Sequence, residues 1–176
     1  GTMPPVRFVG SILGGVSVNR NHGKMAPIIN ELLPNPASPQ TDADDEFIEL
    51  YNPNDASFDL TGFKLAFGST NPKRYTFPEG TLLEPKSFKA FTSEDTSISL
   101  SNDAAQVWLL DPNEKIIGQT EPYQTAKDGQ SWALNNGVWV WTLQPSPNAM
   151  NTLATAANGA GRSTAAVLGI TSGTGS

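Results

Sequence analysis

Between Pro27 and Thr142 the apolar residues come in short runs, and proline, glycine or asparagine cuts each one off. "PIINELL" (Pro27 to Leu33) stops at Pro34-Asn35-Pro36, "EFIELYN" (Glu46 to Asn52) at Pro53-Asn54-Asp55, and "RYTF" (Arg74 to Phe77) at Pro78-Glu79-Gly80. "FKLAF" follows Thr61-Gly62, and "SFKAF", "QVWLL", "KIIGQT", "QSWAL" and "VWVWT" continue the series. Runs of this length, spaced by turn signals about every 8 to 12 residues, predict strands. No segment sustains a helical period. Two turns can be read directly: Asp111-Pro112-Asn113-Glu114 joins two apolar runs as a tight turn, and Asn136-Gly137 supplies the positive φ angles that a two-residue hairpin needs. The pattern predicts an all-β chain folded as a compact antiparallel β-sandwich.

Composition narrows this picture. The 176 residues are about one domain's worth, enough to bury a core without staples. The absence of cysteine excludes disulfides and thiolate metal sites, and no run of about 18 apolar residues predicts a membrane span. With a single histidine, His22, a His-based triad or zinc site has almost nothing to be built from. Residues 27–151 hold all 17 Asp and Glu against seven Lys and Arg, a balance of −10, which disfavours nucleic acid.

The ends differ in kind. Residues 1–26 form a basic and apolar extension with Arg7, Arg20 and Lys24 and no acid. The extension begins with Gly and carries a later Met25, so part of it reads as an expression artefact. Its Val6 to Val18 piece is expected either to add a strand or to pair with the acidic body. Residues 152–176, nearly all Ala, Gly, Ser and Thr, read as a flexible linker, leaving 27–151 as the folded domain.

Seven stretches in order, "INELLPNP", "DDEFIELYNPND", "DLTGFKL", "YTFPEGTLLEP", "LSNDAAQVWLLDPNEKI", "GQSWAL" and "VWVWTLQPSPNAMN", cover residues 28–151. Together they resemble the lamin tail domain in its bacterial form. The resemblance implies an immunoglobulin-like sandwich without a catalytic centre, carried as an accessory module on secreted or cell-surface proteins. Two positions depart from the family pattern: Phe63 stands where tryptophan is common, and Asn148 where the Pro-x-Pro element is normally followed by glycine. Asparagine also visits the left-handed region, so the turn is expected to survive.

Three groups are candidates for function. Strand alternation puts Phe47, Glu49 and Tyr51 on one face and Ile48 and Leu50 in the core. Glu49 is then expected on an outer face, solvated or meeting a lysine such as Lys64, with the three residues as a candidate protein-binding face. Asp42, Asp44, Asp45 and Glu46 crowd a loop that could hold a weak calcium ion, although the loop lacks the glycine and spacing of a complete site. Trp139 and Trp141 share a face and form either packing or an aromatic patch, whereas Trp108 and Trp132 fall on motif positions and are expected in the core. The resulting expectation is a non-enzymatic, extracellular or surface-displayed module that binds a protein or peptide or anchors an assembly. The alternative is an accessory domain of an extracellular hydrolase or nuclease, with calcium as the one conceivable cofactor.

Overall fold

The computed structural model describes residues 20–155. The strands in chain order are β1 (Ile28–Leu33), β2 (Phe47–Tyr51), β3 (Phe58–Asp59), β4 (Lys64–Gly68), β5 (Lys73–Thr76), β6 (Leu82–Leu83), β7 (Phe88–Thr92), β8 (Gln106–Leu110), β9 (Ile116–Gln119), β10 (Ser131–Asn135) and β11 (Val138–Thr142). Single helical turns α1 (Asp42–Asp45) and α2 (Ser93–Thr96) precede β2 and follow β7. One sheet has the order β11-β10-β1-β2-β7 and the other β5-β4-β8-β9, with β3-β6 as a small third pair. The pairings within these sheets are antiparallel.

Period-two alternation explains which side chains fill the sandwich. Ile48 and Leu50 of β2 point inward with Leu32 and Phe91 and meet Leu65, Phe67, Val107 and Leu109 from the opposite sheet. Phe63 is fully buried and meets Phe58 edge to face at 5.3 Å, so phenylalanine fills the position where the family often places tryptophan. Asn136 and Gly137 take φ values of 50° and 83° between β10 and β11, the conformation for which Asn-Gly is suited. In the β8–β9 turn Asp111 holds the chain by accepting the N–H groups of Asn113 and Lys115 on its side chain.

The tryptophans divide differently from the sequence expectation. Trp139 is core, and Trp132 and Trp141 pack half-buried against it. Trp108 is not core. It lies opposite Ala66 and Gln119 on the outer face of its sheet, because Val107 and Leu109 occupy the inward positions of β8.

The packed domain begins earlier than residue 27. Asn21 is fully buried and clasps the Asp59 backbone: its amide nitrogen donates to the Asp59 carbonyl at 2.8 Å and its amide oxygen accepts the Asp59 N–H at 2.8 Å. Arg20 pairs with the Asp59 carboxylate at 2.9 Å, and Met25 exchanges hydrogen bonds with the Asn54 side chain. Asn21→Ala would leave a buried donor and acceptor unpaired, so we expect a loss of about 2 kcal/mol in urea unfolding. At the other end, the Thr142 hydroxyl donates to the Thr152 carbonyl at 2.7 Å and the Leu143 N–H to Ala154 at 2.6 Å, so the start of the expected linker is tied to β11. The Val6 to Val18 piece, and the linker from residue 156, lie outside the described residues.

Candidate interaction surface

Two glutamates organise the outer face of the five-stranded sheet. Ile29 faces the core, so simple alternation would put Glu31 beside it. The ladder instead pairs Ile29 with Leu50 and Glu31 with Glu49, leaving Asn30 as an extra residue. This β-bulge turns Glu31 outward and sets it directly opposite Glu49 on the neighbouring strand.

The segment after β11 covers both acids. The Ser146 N–H and hydroxyl donate to the two Glu31 oxygens at 2.9 Å each, and the Asn148 N–H donates to Glu49 at 2.6 Å. Asn30 donates its amide to the other Glu49 oxygen at 2.8 Å. The chain then turns back, and the Asn151 amide donates to the Asn30 and Leu134 carbonyls. Residues 145–151 thus form a strap that crosses β1 and β2 and returns over β10. Neither acid meets a cation: among the described residues the ion pairs go to Asp55, Asp59 and Glu114. Burial without a cation pushes the Glu49 carboxyl up to about 7, with the Glu31 charge adding to it and the Asn30 and Asn148 hydrogen bonds pulling it back.

Asn148 keeps the turn, at a φ of 63°, and does something glycine could not. Its side-chain oxygen accepts the Ala90 N–H at 2.8 Å on the edge strand β7. One donor of an exposed sheet edge is thereby satisfied.

These contacts correct the expected binding face. Phe47, Glu49 and Tyr51 share a side of β2, but Phe47 and Glu49 are 3% and 0% exposed and only Tyr51 is partly open. Lys64 lies in the other sheet and pairs with Glu114 at 2.7 Å. Tyr51 instead packs its ring on Phe88 at 4.5 Å.

The acidic loop is corrected as well. Asp42–Asp45 is a turn of helix whose cap, Thr41, accepts the Asp44 N–H and donates its own N–H to Asp45. Glu46 turns away from them, is 2% exposed and accepts the Leu100 N–H at 2.8 Å. Its burial pushes the carboxyl up to about 7, with the Leu100 hydrogen bond opposing and the nearby Asp42 charge assisting. Among the described residues no group of three metal-binding side chains converges. Millimolar calcium is therefore expected to leave the melting temperature unchanged, and a rise of several degrees would contradict this geometry.

Several recesses open on the described surface, one of them, of about 450 Å³, between α1 and α2 against Asp42, Ser93 and Ser97. Beside the strap is a cavity of about 380 Å³ lined by Pro145, Pro147, Ala90, Thr92, Gln40 and Asp45, with Leu33 and Phe47, 2% and 3% exposed, almost closed beneath it. Another, of about 350 Å³, lies against Tyr123, Trp132, Trp141 and Lys127. There the aromatic tips are anchored, because Trp132 donates to the Glu121 carbonyl and Tyr123 to the Ser101 carbonyl.

A family model described as Lamin Tail Domain matches residues 21–124, more than half of the chain. The chain belongs to the lamin tail domain family. No curated protein matches it. The match starts at Asn21, where packing against Asp59 also begins. It ends before β10, β11 and the strap, which complete the five-stranded sheet of this lamin tail domain. The family is immunoglobulin-like, in keeping with the antiparallel sandwich seen here. Reading the sequence strand by strand missed Glu31, Asn30, Ser146 and Asn151. A signal was present: two glutamates sit inside apolar runs of neighbouring strands, and no Lys or Arg occurs from Met25 to Phe63.

Proposed function

We propose that this lamin tail domain is a non-catalytic interaction module that binds a protein or peptide partner, or anchors a larger assembly, on a secreted or cell-surface bacterial protein. Membership of an immunoglobulin-like family is the observation that carries this reading. The state of the buried acids supports it: Glu31, Glu46 and Glu49 are engaged by the chain's own N–H groups, so the deeply placed carboxylates act as structural acceptors. General acid–base chemistry would instead need a carboxyl within reach of a substrate. Panning the immobilised domain against a displayed peptide library tests the proposal. Enriched sequences that bind saturably as free peptides are expected. Failure to enrich any sequence that binds saturably would refute it, and turnover of phosphoester or glycoside substrates by the purified chain would refute its non-catalytic part.

A further inference from the structure

We propose that the outer edge of β11 joins two copies of this chain, β11 pairing antiparallel with β11 of the second copy about a twofold axis at Val140. The inference goes beyond the partner reading above and does not depend on it. β11 ends the five-stranded sheet, and among the described residues no strand lies on its outer side. Along an antiparallel strand the backbone N–H and C=O groups point to one neighbour and the other in alternation. The two-residue turn makes Asn135 and Val138 a hydrogen-bonded pair, so Val138, Val140 and Thr142 face β10 while Trp139, Trp141 and Leu143 face outward. Leu143 follows this alternation by donating its N–H to Ala154. That bond closes the edge at its end and leaves Val138 to Thr142 for a partner. Val138 is 58% exposed, and Val140 and Trp141 are partly exposed. Trp139 keeps its ring in the core and contributes only its backbone groups.

The other edges of the two large sheets carry features that keep foreign strands away. β5 exposes Lys73 and Arg74. β7 exposes Lys89 and has its Ala90 N–H taken by Asn148. β9 follows Lys115, contains Gly118 and has an interrupted ladder with β8. β11, Val-Trp-Val-Trp-Thr, has no charge, no proline and no glycine. Charge then selects the occupant. No charged residue occurs between Asp128 and Arg162, so the β10–β11 hairpin is uncharged in an otherwise acidic body. A second copy carries the same negative charge and is repelled from the acidic faces, and this hairpin is the side on which it can approach. The strand also matches itself. With Val140 at the axis, Trp139 of each copy meets Trp141 of the other, and each pair exchanges both of its outward backbone hydrogen bonds. Val140 meets its own copy on the outer face, and the Trp141 ring gains an aromatic cross-strand neighbour on the inner one.

Sedimentation equilibrium and ¹⁵N NMR of the full chain, from about 10 µM to about 1 mM, test this. The average mass should rise toward that of a dimer with a Kd on the order of 100 µM, as suits a small interface. Concentration-dependent shifts should centre on Trp139, Val140 and Trp141. Association should tighten about threefold in 0.5 M salt, as repulsion between the acidic bodies is screened. Val140→Lys and Val140→Glu each set like charges against one another at the axis and should weaken dimerisation about tenfold or more, whereas mixing the two variants should restore it. Val140 is partly exposed, and the spectra of both variants report folding directly. A chain that stays monomeric at about 1 mM overturns the proposal, and protection of the Trp139 and Trp141 amides in that monomer would show the chain's own residues on the edge. A dimer whose shifts lie on another strand, or which both variants leave intact, overturns it as well. None of these outcomes bears on peptide panning, so the interaction-module reading stands or falls separately.

Discussion

Glu49→Ala is expected to destabilise the domain by about 3 kcal/mol at pH 7 and to loosen the strap. The Asn148 N–H and the Asn30 amide would each lose their carboxylate acceptor, and an unpaired buried donor costs roughly 1 to 3 kcal/mol. Removing a buried charge that lacks a cation offsets part of this. Urea unfolding gives the total, and hydrogen exchange gives the local effect: Asn148 and Ser146 should lose protection before the β-strands do. Glu49→Gln should cost less than alanine, since an amide oxygen can still accept the Asn148 N–H. A Glu49→Ala protein with wild-type stability and wild-type exchange at Asn148 would show that the strap is held by something else.

Stability is expected to fall as pH rises from about 4.5 to about 7 and then to level off. Glu46 and Glu49 are both raised to about 7 from the ordinary 4.5, burial being the main cause in each. In that window the folded chain holds more protons than the unfolded one, so raising the pH favours unfolding. The contribution is complete below about 4.5, is lost through about 7, and is at most about 3 kcal/mol per group. Asp59 acts in the opposite sense at lower pH. Burial would raise it, but the Thr61 hydroxyl and N–H and the Arg20 guanidinium outweigh burial and hold it below 3.8. Its contribution is therefore lost as pH falls through the acid range. Thermal unfolding from pH 3 to 9 should show greatest stability near pH 4.5, and Glu49→Gln should flatten roughly half of the decline above it. A stability maximum at pH 7 to 8 would contradict these assignments.

Local sequence signals carried most of the architecture. Asn136-Gly137 and Asp111-Pro112 stated their turns, because the required backbone angles belong to those residue types. Ile48 and Leu50 were legible as core because a strand's period is two. The same period says only that Glu49 faces the other way; it cannot say what covers that face. The cover comes from Asn148, 99 residues later in a stretch without apolar periodicity. The bulge at Asn30 was equally hidden, since a shift of register leaves no mark in the run "IINELL". Asn21 was assigned to the basic extension because its neighbours are polar, yet its two bonds to Asp59 make it part of the body. Trp108 sat on a core-like motif position, but Val107 and Leu109 hold the inward places on β8.

The most direct test of the account is to titrate the glutamate side-chain carboxyl carbons by ¹³C NMR while following the Asn148 amide. One glutamate resonance, removed by Glu49→Gln, should titrate with a midpoint of about 7, and the Asn148 amide should move with the same midpoint. A Glu49 midpoint near 4.5, with an Asn148 amide indifferent to it, would mean that the carboxylate meets water and that the strap does not rest on it.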